Sequence, residues 1–155
     1  MAAGGIVDGR GLAAALMLGA QGALVGTRFY TSSEALGPDR AKQRIVAAHG
    51  NKTTRTWVFD IVRGYASPPG CPGGARCATP SWSAGTVARA DLAAALEAER
   101  TAYPVAARDG DYDTAVVWAV EGVDLTKSVE GAAALVARIS AEAEAQLRIG
   151  AKLAR

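Results

Sequence analysis

The sequence predicts an α/β fold that opens with a parallel strand–helix–strand unit and continues mostly as helix. Three observations carry this reading. Ala2-Ala3-Gly4-Gly5-Ile6 looks like the end of a buried strand running into a glycine turn. Leu12, Leu16 and Ala20 then recur at helical spacing, with Ala13 and Met17 beside them. Ala23-Leu24-Val25 is a short apolar run without alternation, as expected of a strand covered on both faces, and it stops at Gly26-Thr27. Residues 1–27 thus form a βαβ unit.

Each element has its own signal. Asp8 can cap the first helix, its carboxylate accepting from the exposed amides of the first turn, and Gly19 and Gly22 end it. A second helix starts at Pro38, places Ala41, Ile45 and Ala48 on one face, and stops at Gly50. Thr54–Val62 is rich in β-branched and aromatic residues, with Trp57, Phe59 and Ile61 on one side of a period-2 pattern, and is predicted to be extended. Ser67–Gly85 holds four of the six prolines and is predicted to be a long loop. Helices follow over Val87–Tyr103, which Pro104 should interrupt, near Asp113–Val120, and over Val129–Leu153. The last carries Ala132, Val136, Ile139, Ala143 and Leu147 at three- and four-residue steps. The expected organisation is 1–64 for the βα units, 65–86 for the Pro/Gly-rich loop and 87–155 for a helical extension.

Composition narrows the class. With 155 residues and 50% hydrophobic content the chain can bury the core of one domain, which excludes a disordered tail. Net charge is +2, too little for a strongly basic nucleic-acid binder. Residues 1–90 carry 10 basic and 4 acidic side chains, and residues 91–155 carry 7 and 11, so the first half suits an anionic ligand. Cys71 and Cys77 share one loop and the chain has one histidine, which fits neither a disulfide scaffold nor a four-ligand zinc site. Both thiols read as free, in a reducing, cytoplasmic compartment. Gly11–Thr27 lacks charge but is dominated by Ala and Gly, too short and too weakly apolar for a membrane span of about 20 residues.

The chemistry converges on glycines. Gly4-Gly5 ends one strand and Gly26-Thr27 the next, and consecutive parallel strands open at the same rim. Glycine there lets backbone amides approach and cradle a phosphate, Thr27 adds a hydroxyl, and Arg28 a counter-charge. Ordinary turn glycines would look the same. Other candidates favour simpler roles. Cys71 has no histidine near it and reads as a loop thiol. Asp109, Asp111 and Asp113 have calcium-loop spacing without its glycine or closing glutamate, which favours helix capping. Trp57, Trp82 and Trp118 read as packing residues.

The stretches Ala2-Ala3-Gly4-Gly5-Ile6-Val7-Asp8-Gly9-Arg10-Gly11-Leu12 and Val25-Gly26-Thr27-Arg28-Phe29 resemble the C-terminal part of the nitronate monooxygenase (2-nitropropane dioxygenase-like) family. The similarity continues through Val58–Gly64, Leu92–Arg100 and Gly110–Ala119. It implies the C-terminal portion, strands 7 and 8 with trailing helices, of an FMN-type (β/α)8 barrel, with about six βα units expected upstream of Met1. It further implies that Gly4, Gly5, Leu24, Val25, Gly26 and Thr27 contact the FMN phosphate. The implied activity is oxidation of alkyl nitronates by O2 to a carbonyl compound and nitrite. The family's catalytic histidine would precede Met1, so no catalytic residue is expected here, and His49 reads as a solvated helix-end histidine. The chain departs from the family pattern at Val120, Asp124 and Thr126, at Pro104 and around Trp82. Two rival readings share these residues: a related flavin-dependent enoyl reductase, and a non-catalytic truncated gene product.

Overall fold

A computed structural model describes residues 1–65, 75–77 and 89–153. Two short strands, β1 (Ala2–Ala3) and β2 (Ala23–Leu24), run parallel with Ala3 opposite Leu24, and helix α1 (Gly9–Met17) connects them. This is the βαβ unit expected from the sequence. Asp8 caps α1, its carboxylate accepting from the Arg10 and Gly11 amides at 3.0 and 3.1 Å and from the Arg10 guanidinium. One expectation fails. Leu24 is 61% exposed, so β2 is not covered on both faces; among the described residues its only sheet neighbour is β1.

The single-turn helix α2 (Thr27–Tyr30) follows β2, and α3 (Asp39–Ala47) follows that, starting just after Pro38 as expected but ending three residues before Gly50, with Ala48 already extended. Ala41 and Ile45 of α3 pack with Val117, Ala119 and Val123 into one apolar cluster, flanked by Tyr30, Ala48 and Tyr112. After a 3-10 turn (Gly50–Lys52) come β3 (Thr53–Arg55) and α4 (Val58–Val62). The extended reading of Thr54–Val62 is therefore correct only for its first residues. Val58 and Val62 lie one helical turn apart and are both buried, packed with Leu96 and Tyr103. Burial at that spacing overrides β-propensity.

Strand β4 (Ala75–Cys77) lies inside the stretch read as loop, and β5 (Val117–Trp118) replaces the short helix expected near Asp113–Val120. They join β3 in an antiparallel sheet of order β3-β4-β5, with Thr53 opposite Cys77 and Cys77 opposite Val117. Helix α5 (Arg89–Asp109) runs through Pro104 instead of stopping there. The missing backbone bond costs about 3 kcal/mol. The apolar contacts of Leu96 and Tyr103 on α4 before the proline, and the burial of Ala106 after it, offset that cost. Cys71, Trp82 and most of the proline-rich stretch lie outside the described residues.

The long helix α6 (Ala132–Leu153) crosses α1 and buries Leu135, Ile139 and Ala143. Val136, expected on the buried face, is instead 55% exposed. At the crossing Gly9 is buried, and a β-carbon built on it would stand 2.2 Å from Glu142 Cβ and 2.4 Å from the Ala143 nitrogen. The Gly9 amide donates to Glu142 Oε2 at 2.9 Å. Glycine is required because the backbones meet here. Gly9→Ala is expected to destabilise the chain by about 3 kcal/mol, the upper end for overpacking, since a main-chain atom must move. Urea unfolding measures this, and a midpoint within error of wild type would contradict the close crossing.

Candidate phosphate-binding site

The parallel register of β1 and β2 brings the two glycine turns to one end of the sheet. Gly4 and Gly5 follow β1 with φ of +87° and +69°, a left-handed backbone that L side chains rarely adopt. Both are exposed, and a β-carbon on either would meet nothing within 4 Å. Leu24 ends β2, Val25 is half-buried, and Gly26 is exposed with equally open space at its β-carbon position. Thr27 opens α2, and its Oγ1 accepts from the Val120 amide at 3.2 Å. All six expected residues thus flank one rim, and the space at its three glycines is free.

Arg28 does not supply the counter-charge expected of it. Its side chain is 1% exposed and faces inward. Nη1 donates to Thr31 Oγ1 and to the Ser128 carbonyl, both at 2.8 Å; Nη2 donates to Ser128 Oγ at 3.1 Å and Glu130 Oε1 at 2.5 Å. Burial pulls this guanidinium below the usual arginine value, and Glu130 opposes that shift. Glu130 in turn accepts from Ser128 and Arg138. The Ser128 hydroxyl, then the Arg138 and Arg28 charges, hold its carboxyl below the usual range against the effect of burial.

A third segment reaches the rim. The 3-10 turn Glu121–Leu125 sits with Gly122 so close that its β-carbon would stand 2.8 Å from Val7 Cγ2 and 3.4 Å from the Gly5 carbonyl oxygen. Sequence reasoning took Val120 as a departure and passed over Gly122, although the glycine after Val120-Glu121 was the available signal. His49 is exposed, with Nδ1 3.2 Å from Asp124 Oδ1. Asp111 accepts from the Asp113 amide and the Thr114 hydroxyl, which is turn capping, while Asp113 pairs with Arg44 and Asp109 with Arg108. Among the described residues no three His, Cys, Asp or Glu side chains converge on a metal site, and no helix is long and apolar enough to cross a membrane. Trp57 packs on the Val58–Val62 cluster, and Trp118 lies 5.3 Å from the Arg63 guanidinium.

The nitronate monooxygenase family model matches residues 1–142. A nitronate monooxygenase of Neurospora crassa is 30% identical over 152 residues, 96% of this chain and 38% of its own length. A Mycobacterium tuberculosis enzyme, (3aS,4S,5R,7aS)-5-hydroxy-7a-methyl-1-oxo-octahydro-1H-indene-4-carboxyl-CoA dehydrogenase, is 54% identical over 60 residues, 39% of this chain and 17% of its own. FabK of Thermotoga maritima superposes with a TM-score of 0.75 at 24% identity, covering 97% of this chain and 46% of FabK. The chain therefore spans less than half the length of these relatives. Its fold is that of part of a (β/α)8 barrel, mostly helical.

Acid should loosen the anchor of Arg28. Because the folded Glu130 pKa is lowered, its contribution to stability is complete above the unfolded value of about 4.3 and is lost as pH falls through the lower folded value. Glu130→Gln is expected to be less stable at pH 7 and to lose less on going from pH 5 to pH 3. Thermal melts across that range check it, and parallel losses in both proteins would contradict the assignment.

Proposed function

We propose a function from one fact: this chain belongs to the nitronate monooxygenase family. Gly4, Gly5, Leu24, Val25, Gly26 and Thr27 hold the phosphate of FMN, in an oxidoreductase that converts alkyl nitronates and O2 to a carbonyl compound and nitrite. The observation that carries this reading is the open glycine rim: two turns at one end of a parallel sheet, with free space where β-carbons would stand. That space fits a phosphate approached by backbone amides. The flavin supplies the redox chemistry when bound. Thr27 Oγ1 accepts from Val120 and so keeps its hydroxyl hydrogen to donate toward the rim. The left-handed turn at Gly4-Gly5 fixes the backbone that faces the anion. Arg28 is spent on Ser128 and Glu130, so amides and a hydroxyl, not this guanidinium, receive the phosphate charge.

A second reading, a flavin-dependent enoyl reductase acting on a CoA thioester, is favoured by the stretch similar to the carboxyl-CoA dehydrogenase. The phosphate cradle is common to both.

Gly26→Val is expected to abolish FMN binding by filling the cradle, with the helices intact by circular dichroism. Thr27→Ala is expected to weaken binding by about 0.5–1.5 kcal/mol, the worth of one hydrogen bond. Flavin fluorescence titration decides: if Gly26→Val binds as wild type does, the glycines are turn residues only. Nitrite release tests the chemistry. On this reading none of the 155 residues serves as the family's acid–base histidine, a group typically worth roughly 10²–10⁴-fold. This polypeptide with FMN is therefore expected to release nitrite from propionate-3-nitronate no faster than free FMN. A rate well above that control would reveal a complete site.

A further inference from the structure

Resting on the phosphate-cradle reading, we propose that Arg28 is a positioning residue: it fixes the Gly26-Thr27 turn against Ser128 and Glu130 and never touches the phosphate. Its guanidinium lies one residue beyond Thr27 yet is buried, 1% exposed, against Thr31, Ser128 and Glu130. All four side-chain hydrogen bonds leave from Nη1 and Nη2, and Nε has no partner, so the fork grips by its end alone. The grip is local on one side, at Thr31, and spans 100 residues on the other, at Ser128. Backbone contacts run alongside it: Ser33 donates to the Glu130 carbonyl at 3.0 Å, and Ser32 forms a parallel bridge with Glu130. The Val120 amide also holds the Thr27 hydroxyl. The turn is thus tied to two separate segments of the chain.

The grip extends to the other glycine turn. Glu130 meets Arg138, Arg138 Nη1 donates to Glu142 Oε1 at 3.1 Å, and Glu142 Oε2 accepts from the Gly9 amide. Gly9 lies four residues past Gly5. One chain of charges along α6 therefore ties both turns to a single support. Lysine cannot replace arginine in it, because an ammonium lacks the planar fork that reaches a carbonyl, a hydroxyl and a carboxylate together.

The test compares FMN with riboflavin, which lacks the phosphate, by fluorescence titration of the 155-residue chain. Wild type is expected to prefer FMN. Arg28→Lys is expected to lower FMN affinity about tenfold (~1.4 kcal/mol) and leave riboflavin affinity unchanged. Ser128→Ala, which removes the Oγ contacts to Arg28 and Glu130 and spares the buried charge, shifts FMN in the same direction by less, and serves where Arg28→Lys does not fold. Equal losses for both flavins, or an unchanged preference in a folded variant, overturn the positioning role and leave the cradle standing. A wild type that binds FMN no better than riboflavin overturns the cradle, and the proposal with it.

Discussion

The close crossing of α1 on α6 is the constraint on which the rest depends. With no β-carbon at Gly9, the start of α1 lies directly against the main chain at Ala143. That contact sets where α1 begins, and hence where the Gly4-Gly5 turn leaves β1. Helix α6 also carries Arg138 and Glu142, which connect the crossing to Glu130 and Arg28 at the other turn. Two loops separated by a helix in sequence are thereby referred to one rigid element. The N-terminus of α6 is fixed in turn by Glu34, whose carboxylate accepts from the Ala132 amide.

This arrangement divides the charges by task. The buried guanidinium of Arg28 is compensated by Glu130 and hydrogen-bonded at both Nη groups, which a charge removed from water requires. A charge committed in this way cannot turn to the rim without giving up its bonds to Thr31, Ser128 and Glu130. On the proposed reading, the anion is therefore met by backbone dipoles, whose positions are set by the fold and do not titrate. Precision of the turn then matters more than the number of nearby cations.

The legible part of the sequence was local. Asp8 as a cap and the helical spacing of α1, α3 and α6 rest on contacts within a few residues, and the βαβ unit pairs strands only 21 residues apart across one helix; those elements stand close to where they were expected. The glycine turns were legible because a left-handed backbone and a close approach leave a residue-type signature. The misreadings lie where distant partners decide. Nothing near Arg28 in sequence announces Ser128 and Glu130, so its charge was assigned to the ligand. Thr54–Val62 has strand-like composition throughout, but packing of Val58 and Val62 on Leu96 and Tyr103 winds its second half into a helix. Pro104 is tolerated for a related reason: tertiary contacts on either side outweigh one lost backbone bond.

The antiparallel sheet, invisible in the sequence, has a direct bearing on the site. Its strands are two or three residues long and pair across large separations, so no hairpin signal marks them. Strand β5 matters most. Val117 and Ala119 are buried against Ala41 and Ile45 of α3, which fixes the path of the chain as it leaves β5. Directly beyond, the Val120 amide reaches Thr27, and Gly122 packs on Val7 and the Gly5 carbonyl. A short edge of sheet and one helix thus deliver a third segment to a rim built from β1 and β2. Val120, which looks like a departure from a glycine-rich pattern, contributes only its main chain to Thr27, which any side chain permits, whereas a β-carbon at Gly122 would stand 2.8 Å from Val7 Cγ2.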